Sequence, residues 1–179
     1  MLNNIELDSL YNGLPTLTEN MGRMLTESAL YCLTVHKHLS GVELSIYESL
    51  NQKVIISWGI DLDNRAYHTY KDHEEVTEWG ATCIGILLSL RFTKYNTVQR
   101  SAKGGGFDYW VGDNQSDDSL PFQKMAKLEI SGVFSGSKSK LSYRTTQKKK
   151  QISKSESPSF TSIVSVIEFS APMATFIHE

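Results

Sequence analysis

Residues 126–132, AKLEISG, are the stretch from which the predicted fold is built, because apolar and polar side chains alternate along them. Such alternation is typical of a β-strand, in which successive side chains point to opposite faces. Leu128 and Ile130 share the face that is expected to pack on the core. The opposite face is polar and carries Lys127, Glu129 and Ser131.

Segments on both sides of this strand extend the predicted sheet. FDYWVGD, residues 107–113, follows a glycine run and predicts a neighbouring strand that begins beside Asp108. SIVSVIEF, residues 162–169, is an apolar segment rich in β-forming residues, and PMATFIHE, residues 172–179, predicts a last strand at the sheet edge. Two further alternating segments within residues 42–59 predict a β-hairpin.

Three helices accompany these strands. Apolar side chains recur at helical spacing within residues 17–39, with Thr18 as the N-cap, which predicts an amphipathic helix. A second helix is expected to start near Asp72, and its wide apolar arc indicates burial against the sheet. The third runs from about Leu141 to Ile152 and is basic.

The order of these elements predicts the fold class. Helix, hairpin, buried helix, three strands, basic helix and strand indicate an α/β (α+β) fold, with a central mixed sheet flanked by helices. The length of 179 residues favours a single domain, residues 1–179. Within it, residues 1–70 are expected to form an N-terminal helix plus β-hairpin extension, and residues 71–179 the core.

Composition restricts the class of protein. Hydrophobic residues make up 40% of the chain and charged residues 21%, which is ordinary for a globular protein and argues against disorder. The first residues lack a signal-peptide pattern, and the most apolar stretch, CIGILLSL, is too short to cross a bilayer. Cys32 and Cys83 are expected to be buried free thiols. We therefore expect a cytoplasmic protein that does not bind membranes.

Two carboxylates on neighbouring predicted strands indicate phosphodiester chemistry. A metal-dependent phosphodiesterase needs carboxylates at the ends of adjacent strands to hold Mg²⁺ or Mn²⁺, and a cation near them. Asp108 and Glu129 meet this requirement, and Lys127 shares a strand face with Glu129. The structural alternative for Asp108 is a buried, hydrogen-bonded carboxylate that stabilises its turn.

This arrangement resembles the core of the PD-(D/E)XK, or restriction-endonuclease-like, nuclease superfamily. The resemblance covers roughly residues 72–170. It implies that Asp108 is the family aspartate, that Glu129 is the acid of the (D/E)XK strand and that Glu78 is the helix glutamate. These three carboxylates would then surround the divalent metal. The alternative for Glu78 is an ordinary charge on a helix surface.

The catalytic lysine that the resemblance implies is absent from its usual position. Ser131 stands where the family has lysine, so the resemblance implies that another cation takes its role. Lys127 is the predicted catalytic cation, and Lys140 and Lys148 are the alternatives. Gln147 and Gln151 lie one helical turn apart and are the polar helix residues that would complete the site, unless they face solvent.

A basic cluster indicates a nucleic-acid partner, expected to be DNA. Residues 137–154 carry seven Lys or Arg and no acidic residue, which suits contact with phosphates, although part of this helix must face solvent. The residues expected to grip the backbone are Lys138, Lys140, Arg144 and Lys148. The predicted function is that of a metal-dependent, DNA-acting endonuclease-like protein in restriction, repair or anti-phage defence.

Two other classes of function remain open from the sequence. A non-catalytic protein with the nuclease fold would bind nucleic acid or a protein partner, or form a homodimer, and the missing lysine favours it. A small immunity or chaperone-like protein would instead use the acidic loop around Asp117 and Asp118 as a protein-binding surface.

Overall fold

The computed structural model describes residues 3–113, 123–155 and 159–179. The strands in these ranges are β1 Asn3–Glu6, β2 Val42–Glu48, β3 Gln52–Ser57, β4 Thr97–Arg100, β5 Tyr109–Asp113, β6 Gln123–Val133, β7 Thr161–Glu168 and β8 Met173–His178. They form one mixed sheet in the order β1-β3-β2-β8-β7-β6-β5-β4. With helices on its faces, this sheet confirms the predicted α/β (α+β) class.

The helices begin at capping residues that the sequence makes recognisable. The helical segments are a 3₁₀ helix Leu7–Asn12, α1 Glu19–Val35, α2 Ala66–Thr69, α3 His73–Phe92 and α4 Lys138–Ile152. Thr18 caps α1, as predicted, and α3 starts near Asp72, as predicted, with the Asp72 side chain as its cap; each of these side chains accepts from backbone N–H groups of the first turn. Ser137 caps α4. Within the described ranges, no helix combines the length and apolar character that a membrane crossing requires.

The last strand is an interior strand, so its prediction as an edge strand is wrong. β8 pairs in parallel with β2 on one side and antiparallel with β7 on the other. Ala174, Thr175, Phe176 and Ile177 are all buried, which is the pattern of a strand covered on both faces. β8 thereby joins the N-terminal hairpin to the rest of the sheet.

The first residues form elements for which the sequence gives no clear pattern. β1 adds to the sheet edge in parallel with β3. The 3₁₀ helix then buries Leu7 and Leu10 in the same apolar cluster as α1 and α3. Burial of these two side chains ties the start of the described chain to the core.

Helices cover the two faces of the sheet and produce two apolar clusters. On β7, Ile163 and Ile167 belong to the cluster that contains residues of α1 and α3. Val164 and Val166, which alternate with them, belong to the cluster under α4. The polar face of β6 is therefore buried under α4 rather than open to water.

A glycine on β6 determines how closely α3 approaches the strand. A Cβ atom at Gly132 would lie 2.5 Å from the carbonyl oxygen of Thr77, so only glycine fits this contact. The close approach brings the next residue of α3, Glu78, within hydrogen-bond distance of the backbone N–H of Gly132 at 3.2 Å.

Candidate functional site

Asp108 lies immediately before β5 and contacts β6, the strand that carries Glu129. Tyr109 of β5 pairs with Leu128 of β6 in antiparallel register. Asp108 precedes Tyr109 by one residue, and two hydrogen bonds of its own hold it against β6. The Asp108 N–H donates to Leu128 O at 3.1 Å, and its Oδ2 accepts from the Ile130 N–H at 2.9 Å. The structure thus brings together the two carboxylates selected from the sequence.

The carboxylate of Glu129 is completely buried and is paired with a lysine from α4. Its exposed fraction is 0%, and its Oε1 accepts a hydrogen bond of 2.6 Å from Lys148 Nζ. The Lys148 side chain keeps 18% of its surface exposed, so its ammonium lies between the buried acid and solvent. Oε2 of Glu129 has no hydrogen-bond partner among the described residues. One buried oxygen of the acid is thus left without a hydrogen bond in the described part of the chain.

Burial and the negative charges of Asp108 and Glu78 raise the pKa of Glu129. Burial is the largest of these effects, and the negative charge of Asp108 adds to it, so the pKa of the Glu129 carboxyl is about 7 despite the opposing effect of Lys148. The effect of Asp108 places its charge within electrostatic range of Glu129. Perturbed carboxyl groups of this kind are concentrated at functional sites, although structural ion pairs produce them too.

Lys127, predicted as the catalytic cation, is used elsewhere. Its side chain is buried, and Nζ donates a hydrogen bond of 3.0 Å to Ser155 Oγ. Burial lowers the pKa of Lys127. Of the three lysines considered, Lys148 is the one whose ammonium hydrogen-bonds Glu129.

A second polar cluster surrounds Ser131, the residue at the position that the resemblance assigns to the family lysine. Glu78 Oε1 accepts from Ser131 Oγ at 3.1 Å and from the guanidinium of Arg144 at 3.2 Å. Arg144 Nε also donates to Ser131 Oγ at 2.9 Å. A guanidinium from α4 therefore lies beside the serine, and Glu78 is engaged with it rather than free to bind a metal.

The predicted set of three metal-binding carboxylates is not assembled. Among the described residues, no three His, Cys, Asp or Glu side chains form a group that could hold a metal ion, and Glu78 is bound to Arg144. Asp108 and Glu129 alone still suit Mg²⁺, which proteins often hold through one or two carboxylates with water or phosphate oxygens completing the shell. The unpartnered Oε2 of Glu129 is a suitable donor atom.

The four residues predicted to grip DNA divide into two pairs. Arg144 and Lys148 are bound to Glu78 and Glu129; the Lys148 side chain is mostly buried, whereas that of Arg144 is 39% exposed. Lys138 and Lys140 are exposed: the ammonium of Lys138 lies 3.9 Å from the centre of the Tyr47 ring, and that of Lys140 donates to a backbone carbonyl. The predicted basic surface is therefore smaller than the charge count suggests.

One cavity is lined by Asp108 and another by Glu78 and Arg144, and each contains one of the predicted glutamines. The glycine-loop cavity has a volume of about 530 Å³, and its lining includes Arg100, Lys103, Gly104, Gly106, Asp108 and Gln151. The aromatic cavity has a volume of about 380 Å³, and its lining includes His73, Glu74, Phe134, Tyr143, Arg144 and Gln147. Gln151 accepts a hydrogen bond from Lys148 at 3.3 Å, and Gln147 donates one to Tyr143. Asp117 and Asp118 lie outside the described residues.

The raised pKa of Glu129 makes a prediction about stability and pH. Its ordinary value is 4.5, and in the folded protein it is about 7, so folding favours the protonated carboxyl. This stabilisation is fully present below pH 4.5 and is lost as pH rises through 7. Relative to Glu129→Gln, the wild-type free energy of unfolding should therefore fall by up to about 3 kcal/mol between acidic and alkaline pH. Urea unfolding of both proteins at several pH values measures it, and parallel pH curves would contradict the pKa.

Comparison of the chain with models of protein families, with curated proteins and with solved structures finds no match. The resemblance to the PD-(D/E)XK superfamily therefore stays a prediction from the sequence, and the function has to be argued from the geometry of the site.

Proposed function

We propose that this protein is a metal-dependent nuclease that cleaves phosphodiester bonds, with DNA as its expected substrate. The observation that carries the proposal is the convergence of three side chains: Asp108, which is bound to β6, lies within electrostatic range of Glu129, and Lys148 hydrogen-bonds Glu129. Two carboxylates and a cation are the minimum that such chemistry requires. The restriction, repair or anti-phage setting remains a prediction.

Each side chain of this group has a distinct task under the proposal. Asp108 and Glu129 supply oxygen ligands for Mg²⁺ or Mn²⁺, which when bound would polarise a phosphoryl oxygen. Lys148 provides a positive charge at the solvent side of the buried acid, where it can stabilise negative charge that develops on the phosphate. Gln151 hydrogen-bonds the same ammonium and helps to fix its position.

The order of elements supports the same proposal. α3, the antiparallel strands β4, β5 and β6, helix α4 and the parallel strand β7 follow each other along the chain. This order agrees with the core that the resemblance implies. The lysine has moved from the strand to α4, and Lys148 reaches back to Glu129 from there.

A cleavage assay with metal removal tests the proposal. Purified protein is incubated with single-stranded DNA, duplex DNA and RNA in Mg²⁺, in Mn²⁺ or in EDTA. We expect cleavage with a divalent metal and none in EDTA, because the carboxylates need the ion to engage phosphate. An Asp108→Ala variant purified in parallel controls for contaminating nucleases. Intact substrates under every condition with both metals would refute the enzyme proposal.

A second candidate is a non-catalytic protein with the same site geometry. The observation that favours it is that α4 supplies a cation to each acid, Lys148 to Glu129 and Arg144 to Glu78, as a purely structural network would. Such a protein would bind nucleic acid without cutting it, and its affinity would fall steeply with salt. Salt-dependent DNA binding without cleavage in either metal would favour this candidate over the enzyme.

A further inference from the structure

The aromatic cavity is lined by the rings of His73, Phe134 and Tyr143. His73 and Phe134 stack with centroids 4.3 Å apart and planes inclined by 27°. Tyr143 stands at the rim with 67% of its surface exposed, and its hydroxyl accepts a hydrogen bond of 3.1 Å from Gln147. An exposed ring held in place by a neighbour is the kind of surface on which an unpaired base stacks.

Polar groups of both signs line the same cavity. Arg144 and Lys140 supply hydrogen-bond donors and positive charge, while the carboxylate of Glu74 supplies acceptors. The edge of a nucleobase carries donors and acceptors together, and its phosphate needs a cation nearby. This combination fits a nucleotide better than a purely apolar or purely anionic ligand, and a volume of about 380 Å³ is within the range of small-ligand pockets.

The cavity begins next to the proposed cleavage site. Arg144 lines the cavity and also donates to Ser131 Oγ. Ser131 lies two residues beyond Glu129 on the same face of β6, which is about 6.6 Å along a strand. A nucleic-acid strand bound at the acid pair therefore reaches the cavity within a short distance.

Resting on the proposed function, we infer that the aromatic cavity holds one unpaired nucleobase of the substrate, stacked on Tyr143, beside the phosphodiester to be cut. Bases within a duplex are stacked on each other, and exposing one costs free energy. The substrate class that follows is single-stranded or locally opened nucleic acid rather than intact duplex.

Binding measured in EDTA tests this inference without cleavage. Fluorescence anisotropy gives the affinity for a labelled single strand of DNA, for its duplex and for the single strand with one abasic position. Tyr143→Ala should weaken single-strand binding about tenfold or more, the effect of losing one base stack, while Tyr143→Phe retains the ring and the affinity. Tyr67→Ala removes another exposed tyrosine, outside the cavity, and should leave affinity unchanged. The abasic position should weaken wild-type binding more than that of Tyr143→Ala.

The possible outcomes separate this inference from the proposed function. Equal affinity for duplex and single strand, or an unchanged affinity of Tyr143→Ala, would overturn the base-binding role even if the protein cuts DNA. Failure to bind or cut any nucleic acid would overturn both. Single-strand preference that depends on the Tyr143 ring, in a protein that cleaves with metal, supports both.

Discussion

Replacing Lys148 with methionine is expected to lower the single-turnover rate of metal-dependent cleavage by about 100- to 1,000-fold, the usual cost of removing one preorganised group that stabilises transition-state charge. Methionine keeps the length and much of the packing of the lysine stem but lacks the ammonium, which lies 2.6 Å from Glu129 Oε1. Lys148→Arg keeps the positive charge and should recover part of the rate. The rates are measured at saturating metal and substrate, at a temperature where circular dichroism finds each variant folded.

The neighbouring lysine provides the matched control. Lys149 follows Lys148 on α4, but its ammonium pairs with Glu179 at the surface at 2.9 Å, away from the acid pair. Lys149→Met removes the same charge from the same helix and should leave the cleavage rate unchanged. If both variants lose the same fraction of the cleavage rate, the loss reflects the overall positive charge of α4 rather than the position of Lys148. If Lys148→Met cleaves like wild type, Lys148 has no catalytic role.

Local signals in the sequence predicted those parts of the structure that depend on neighbouring residues. The cap at Thr18 and the helix start near Asp72 were identifiable because capping side chains bond the backbone only two or three residues ahead. The alternation around Glu129 predicted the strand and its polar face for the same reason. The position of β8 inside the sheet depends on pairing with β2, more than a hundred residues earlier, which no local pattern encodes.

The sequence contains a pattern that indicates which lysine pairs with Glu129. Leu141, Thr145 and Ile152 are buried on the inward face of α4, and Lys148 lies at helical spacing from all three. A lysine on the apolar stripe of a helix is expected to have a partner inside, which favours Lys148 over Lys127. Strand geometry favoured Lys127, because Lys127 and Glu129 share a strand face. Sharing a face does not mean that two side chains touch, and Lys127 hydrogen-bonds Ser155 instead.

The engagement of Glu78 could not have been predicted in this way. Its contact with Ser131 depends on how far α3 stands from β6, and that distance is set by the packing of Gly132 against Thr77. Arg144 then completes the cluster from a third element. Sequence periodicity reports on one helix or strand at a time, so it does not predict a contact among three elements that meet through tertiary packing.

The second large effect is expected on stability, because Lys148 is the cation that compensates a fully buried carboxylate. At alkaline pH, Lys148→Met leaves Glu129 charged and without a cation, and the free energy of unfolding should fall by about 3 kcal/mol. Acidification should reduce this loss, since Glu129 can then become neutral by taking up a proton. Urea unfolding followed by circular dichroism at both pH values measures the difference.

The double variant decides whether the loss belongs to the pair. Lys148→Met with Glu129→Gln removes both charges and keeps both shapes, so it should recover most of the stability lost by Lys148→Met alone. Lys149→Met is again the control: its partly exposed bridge to Glu179 should contribute less than about 1 kcal/mol. Additive losses in the double variant would mean that Lys148 and Glu129 do not stabilise each other. The buried acid would then have to be neutral in the folded protein. Glu129 would not be in the ionised form that metal binding requires.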